Sequence, residues 1–268
     1  MFKFIKKQWV LFCYALSFFS RIPVSKSTDF NAYPFHLGNT YFPVVGGIQA
    51  LLWFAVYSVS SLLFEHHISI ILMLVAGVLM TGAFHEDGFA DSCDGFGGGY
   101  NKDQRLTIMK DSQIGTYAGI GLILLFVLKI SVLTSLVQQI LLTERTFLLF
   151  LIVLLNAAIL SRFSALCLMQ CTDYAGIGNN KCERSSHQLP KNYLLAAALF
   201  SAVNLFFLPL LWSLLLVALL VINTFLCRYY FNKQVKGYTG DCLGFVQQVN
   251  ELLIFMTLLY LFSLGGFS

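Results

Sequence analysis

Long stretches of this chain carry almost no charge, and that one feature decides what it can fold into. Tyr41 to Phe64 contains no Asp, Glu, Lys or Arg. Tyr193 to Cys227 has none either, and Thr116 to Val137 has only Lys129. A helix that crosses the hydrocarbon of a bilayer needs about 20 mostly apolar residues. Blocks this long are not the half-polar faces of a soluble helix; they call for lipid as solvent. Charged residues make up 11% of the chain, against about 25% in soluble domains. Too few remain to solvate a globular surface. The sequence therefore predicts an all-α, polytopic membrane protein forming a single integral membrane domain over residues 1–268.

The spans follow from the apolar blocks. Tyr41–Phe64, Ile68 to about Phe84, Thr116–Val137 and Thr146 to about Met169 each read as one. Residues 193–227 are too long for one crossing, and Pro209 near the middle marks a tight helical hairpin. Leu252 to about Phe267 is the last. That makes seven spans. Trp9–Phe19 is too short to cross comfortably and follows Lys3, Lys6 and Lys7, so it reads as an interfacial or re-entrant helix. With this list, the loop Lys and Arg residues gather on one side, and only Arg145 falls on the other. Lys129 and Arg162 lie within spans. The bias places the basic side, with the longer loops, in the cytoplasm. No cleavage site resembling that of a signal peptide follows the first apolar stretch.

Net charge is +4, but no basic run is interleaved with aromatics, so nucleic acid is not an expected partner. The seven cysteines are scattered without any C-x-x-C, which argues against a disulfide framework or a structural zinc site.

The chemistry concentrates in His85-Glu86-Asp87-Gly88-Phe89-Ala90-Asp91-Ser92-Cys93-Asp94-Gly95. Asp87, Asp91 and Asp94 are spaced i, i+4, i+7, so on a helix continuing the second span they share one face. Three carboxylates held together repel unless a cation sits among them. Hard oxygen ligands suit Mg²⁺ or Mn²⁺ bridging to a substrate phosphate. Gly88 and Gly95 leave room where a large ligand approaches. His85 is a candidate base, ligand or hydrogen-bonding partner. Arg105 and Lys110 are candidate phosphate binders, or else serve the orientation of their loop. Arg162 faces a polar cavity or snorkels to the interface. Asp241, between two glycines in the last loop, is either a turn residue or a further ligand.

These segments resemble the cobalamin synthase family, also called adenosylcobinamide-GDP ribazoletransferases. The resemblance rests on residues 84–95, on Ile108-Met109-Lys110-Asp111-Ser112-Gln113-Ile114-Gly115, on Phe18-Phe19-Ser20-Arg21-Ile22-Pro23-Val24, and on Gly237-Tyr238-Thr239-Gly240-Asp241-Cys242-Leu243-Gly244. It runs in order over nearly the whole chain. Glu86, Cys93 and Cys242 depart from the pattern, but no acid is lost.

The resemblance implies a Mg²⁺-dependent enzyme of the bacterial inner membrane with a cytoplasmic active site. It would join adenosylcobinamide-GDP to the 5′-hydroxyl of α-ribazole, or to its 5′-phosphate, with release of GMP. Asp87, Asp91 and Asp94 would hold the metal, and one of them or His85 would take the hydroxyl proton. Arg105, Lys110, Asp111, Arg162, Thr239 and Asp241 would bind substrate. The sequence leaves room for a homo-oligomer.

Other readings remain at this stage. The CDP-alcohol phosphotransferases also set aspartates one turn apart on membrane helices, but they carry an Ala-Arg pair where this chain has Asp91 and Ser92. A transporter would distribute polar residues through several spans. A purely structural subunit leaves the acids unexplained.

Overall fold

A computed structural model describes residues 2–142, 146–176 and 185–265. Arg145, Lys181, Cys182 and Arg184, used above in the charge and cysteine readings, lie outside them. The helices are α1 (Phe2–Phe19), α2 (Phe42–Ser60), α3 (His66–Thr81), α4 (Phe84–Gly98), α5 (Lys102–Ile108), α6 (Thr116–Leu141), α7 (Thr146–Cys171), α8 (Lys191–Val203), α9 (Leu210–Val235) and α10 (Gly240–Ser263). Short 3₁₀ turns precede α2 and follow α8. The described residues contain no strand, and the all-helical expectation holds.

The span count is corrected. Five helices, including the 3₁₀ turn that leads into α2, are long and apolar enough to cross a membrane, or six if α3 and α4 count as one bent span. Seven were expected. The 16 residues of α3 rise only about 24 Å, short of a hydrocarbon core of ~30 Å. The hairpin expected around Pro209 is unequal. Its first arm, 191–207, is a short apolar helix, and its second, α9, is 26 residues long. The last span begins at Gly240, twelve residues before the expected Leu252, because the polar run that seemed to precede it is helical and buried.

The second span does not continue straight into the acidic segment. α3 and α4 meet at 89°. Gly82 (φ 69°) and Ala83 (φ 59°) both adopt the left-handed conformation at the break, which glycine tolerates and alanine does at a cost. The Arg21 side chain lies over Gly82, and its backbone N–H donates to Met80 O at 2.7 Å. The N-terminal motif thus braces the corner. Turned across the direction of α3, α4 is not itself one of the five long apolar helices.

α10 packs against α4, α6, α7 and α9, while α2 packs on α7 and α3. Two apolar clusters fill the interior. One holds Trp53, Phe150, Trp212 and Phe255; the other, beside α4, holds Tyr14, Phe42, Leu166, Met109 and Tyr238. On α7 the first cluster ends at Leu160 and the second begins at Ala165; on α10 they meet between Val246 and Ile254. The buried residues between are mostly polar. Ser161, Arg162, Gln247, Gln248, Asn250 and Glu251 are all buried there, and they form a hydrogen-bonded layer between two greasy ones.

Candidate active site

α4 crosses the first turns of α10 at a contact made by glycine. A Cβ placed on Gly88 would stand 3.0 Å from the Asp241 Cα, and one on Gly244 would stand 2.8 Å from the His85 carbonyl oxygen. Gly88 therefore serves helix contact, and a ligand has no room to approach there. Gly95 is likewise closed, by Met109 and the Arg105 carbonyl.

The crossing brings Asp241 of α10 to the acids of α4. Asp87 is exposed, Asp91 half-buried and Asp94 buried. Burial, followed by the charges of Asp241, Asp87 and Asp94, pushes the Asp91 carboxyl up to about 7. Asp91 thus feels all three of the other acids, two from the i, i+4, i+7 spacing on α4 and Asp241 from across the crossing. Lys110 is close enough to Asp241 to act on it electrostatically.

The other predicted residues separate by role. Asp94 accepts from the backbone N–H groups of Gly115 at 2.6 Å and Ala118 at 2.8 Å, so it caps the N-terminus of α6. Thr239 caps α10 by accepting from Cys242 N at 3.3 Å, and its hydroxyl lies 3.2 Å from Asp241 Oδ2. Asp111 accepts from Gln113 N at 3.0 Å in an exposed turn. Arg105 donates to the Gln234 carbonyl at 3.3 Å, tying α5 to the end of α9.

His85 and Arg162 are not on the acidic face. Two residues before Asp87 is just over half a helical turn, and His85 lies buried on the other side of α4, its ring stacked on Phe42 with centroids 5.6 Å apart. Burial, then the charges of Arg162 and Lys129, holds its imidazole well below the usual range, so it is neutral. Arg162 does not snorkel. It is fully buried, donates to Ala158 O at 2.8 Å and to Gln49 Oε1, and lies over the Phe42 ring.

Sequence reasoning missed the polar layer behind α4. Lys129 Nζ meets Glu251 Oε1 at 2.6 Å and Gln248 Oε1 at 2.5 Å. Gln248 Nε2 donates to Glu86 Oε1 at 3.0 Å, and Gln247 Nε2 to Glu251 Oε2 at 2.8 Å. The signal was present: two intramembrane cations, plus amides and a carboxylate at helical spacing in residues 247–251.

Among the described residues, no three His, Cys, Asp or Glu side chains stand close enough together to hold a metal ion by themselves. Mg²⁺ is more often held by one or two carboxylates together with substrate phosphates. Asp87 and Asp241, close enough across the crossing to act on one another electrostatically, fit that mode.

Fold and site together define a polytopic helical membrane protein with a carboxylate cluster at one face, where a short cross-lying helix meets the start of the last span. Within that class the chain belongs to the cobalamin synthase family: the model described as Cobalamin-5-phosphate synthase matches residues 11–259. The chain is 36% identical over 263 residues to the adenosylcobinamide-GDP ribazoletransferase of Pseudoalteromonas atlantica, covering 97% of this chain and 94% of that protein. It is 36% identical over 256 residues to the protein of that name in Vibrio cholerae, with 95% of each covered. Against the one in Shewanella amazonensis it is 32% identical over 260 residues, covering 96% of this chain and 98% of that protein. No solved structure matches the chain.

Proposed function

We propose that the chain transfers the adenosylcobinamide phosphate of adenosylcobinamide-GDP to a ribose hydroxyl of α-ribazole or of its 5′-phosphate, releasing GMP. One observation carries the reading. Four carboxylates, Asp87, Asp91, Asp94 and Asp241, converge where α4 crosses α10, at the exposed end of a membrane domain.

The family description bears on one chemical detail. A cobalamin 5-phosphate product would keep its 5′ position occupied, which favours a ring hydroxyl of the ribose as acceptor over the 5′-hydroxyl expected from the sequence. The hydroxyl oxygen attacks the phosphorus bonded to the cobinamide side. The bond to the bridging oxygen breaks, and GMP departs with that electron pair. Asp91 is suited to take the proton, because its raised affinity lies near neutral pH. His85, neutral and on the far side of α4, is not suited. Asp87 and Asp241 stand to hold Mg²⁺, which when bound offsets charge on the pyrophosphate and the leaving group. Asp94, spent on the α6 N-terminus, fixes the distance between α4 and α6 and keeps one anion in the cluster. Lys110 supplies a cation beside Asp241 for phosphate oxygens. A cytoplasmic position for this face, at a bacterial inner membrane, is part of the proposal; the basic residues of the loops beside α4 and α5 favour it.

The test is direct. Full-length protein in phospholipid nanodiscs is given adenosylcobinamide-GDP, α-ribazole and Mg²⁺, and GMP and corrinoid products are followed by chromatography. Folded protein that releases no GMP sinks the proposal.

A further inference from the structure

Away from the acids, a cavity of about 450 Å³ opens between α7, α8 and α9. Its size falls among ligand sites, which run from about 300 to 1,000 Å³. On α7 the lining runs from Leu160 to Cys171, and on α9 from Val217 to Arg228. Either stretch of helix rises about 16 Å, close to half of a ~30 Å hydrocarbon core. The crevice is therefore one leaflet deep. Its few hydroxyls are turned to other protein groups. Ser164 Oγ donates to Ser161 O at 2.8 Å and accepts from Asn250, and Ser201 Oγ donates to Ala197 O at 2.8 Å. The wall that remains is almost wholly apolar. Arg228 stands at the mouth, on the end of α9 that leads to Asp241. From Leu210 to Arg228, α9 rises about 27 Å, which puts the guanidinium at headgroup level. Tyr229 and Tyr230 beside it are 65% and 42% exposed, as aromatic residues at that level are. Arg228 makes no hydrogen bond or ion pair among the described residues, and no Asp or Glu lines the cavity with it.

We propose that this crevice binds one anionic glycerophospholipid from the leaflet that borders the acids. One acyl chain lies between α7, α8 and α9, and the phosphate pairs with Arg228. A cation at headgroup level above an apolar slot one leaflet deep is the complement of such a lipid. The guanidinium takes phosphate oxygens through paired N–H donors, and the tail covers apolar wall that water would otherwise meet. A zwitterionic head group brings an ammonium that finds no carboxylate in the lining. A helix from a second copy fits worse. Over 16 Å, a helix about 10 Å across displaces about 1,300 Å³, against a cavity of about 450 Å³. The site is independent of the reaction proposed above, because none of the acids lines it.

The experiment uses full-length protein stripped of lipid in a neutral detergent. It is titrated with phosphatidylglycerol, phosphatidylcholine or soluble glycerol 3-phosphate, and bound molecules are counted by native mass spectrometry. Wild type should bind one phosphatidylglycerol about tenfold more tightly than phosphatidylcholine, the scale of one charge-assisted contact at headgroup level. Glycerol 3-phosphate, which lacks the chain, should not compete. Arg228→Gln should erase the preference between the lipids. Ala198→Phe, which fills the crevice and keeps the charge, should weaken both. Lys233→Gln, exposed on the same helix end but outside the lining, should change neither. Where Ala198→Phe does not fold, the contrast between Arg228→Gln and Lys233→Gln decides. Equal affinity of wild type for the two lipids, or a preference retained in Arg228→Gln, overturns the proposal. An equal loss in Lys233→Gln overturns it in favour of diffuse surface charge, and competition by glycerol 3-phosphate in favour of a bare phosphate site. Stripped protein that dimerises, with a dimer that Ala198→Phe abolishes and lipid does not displace, gives the crevice to a second copy instead.

Discussion

Lys129 of α6 and Glu251 of α10 form an ion pair at 2.6 Å with almost no solvent exposure, deep in two helices that read as membrane spans. Its reach extends further. Gln248 joins the lysine to Glu86 at the start of α4, so the helix that carries the acids is anchored from behind by a charge in the bilayer. Removing one partner of a buried pair strands the other, at about 3–5 kcal/mol. Lys129→Met should therefore lower the unfolding midpoint in nanodiscs sharply. Lys129→Met combined with Glu251→Gln should recover much of the loss, as double-mutant analysis of the two midpoints would show. Additive losses would mean that the pair contributes little.

Asp94 separates a structural from a chemical role within one cluster. Its two oxygens hold the N–H groups of Gly115 and Ala118. Asp94→Ala should cost about 1–2 kcal/mol through loss of the cap, seen as faster amide exchange over residues 115–118. Asp87→Asn should leave that exchange unchanged and reduce GMP release by about a hundredfold or more, the scale of a lost transition-state contact. Equal exchange in both variants would remove the capping role.

Much of this architecture was legible, and what was not has physical reasons. The long apolar blocks of α2, α6, α7 and α9 announce themselves because lipid demands length without charge. The acids were legible because i, i+4, i+7 spacing survives wherever α4 points. The corner at Gly82–Ala83 was not, since an alanine with positive φ has no sequence signature. The start of α10 was missed for a related reason. Gln247, Gln248, Asn250 and Glu251 lower local hydropathy and mimic a loop, yet they are polar because they pair with α4, α6, α7 and α9. Lys129 was noticed, but its partner lay 122 residues away, beyond any local pattern. His85 was placed with the acids by proximity in sequence, and helical rotation puts it on the other side.

The α4–α10 crossing should be sensitive to single methyl groups. A Cβ on Gly244 would press within 2.8 Å of the His85 carbonyl, which is backbone and cannot swing aside. Gly244→Ala should therefore part the helices, cost about 1–3 kcal/mol, and weaken activity by shifting Asp241 relative to Asp91. Gly119 has open space around it, and Gly119→Ala should leave the melting temperature unchanged or slightly raised, since alanine favours helix. Equal melting of the two variants would argue against a tight crossing.

The crowding of acids makes a pH prediction whose sign is fixed. Asp91 is held at about 7 in the folded chain, against about 3.9 when unfolded. Between those values the folded state binds more protons than the unfolded one. Stability is then fully present below the unfolded value and declines as pH rises toward the folded one. Without divalent cations the wild-type protein should melt at a lower temperature at pH 7 than at pH 5.5. The drop should shrink in Asp91→Asn, which cannot ionise, and in Asp241→Asn, which removes the charge that acts most strongly on Asp91. Millimolar Mg²⁺ should restore the midpoint at pH 7 in wild type and leave it unmoved in Asp87→Asn, which removes one of the two proposed ligands. Melting curves that are flat in pH, or a full response to Mg²⁺ retained in Asp87→Asn, would show that these carboxylates do not form one cation-seeking cluster.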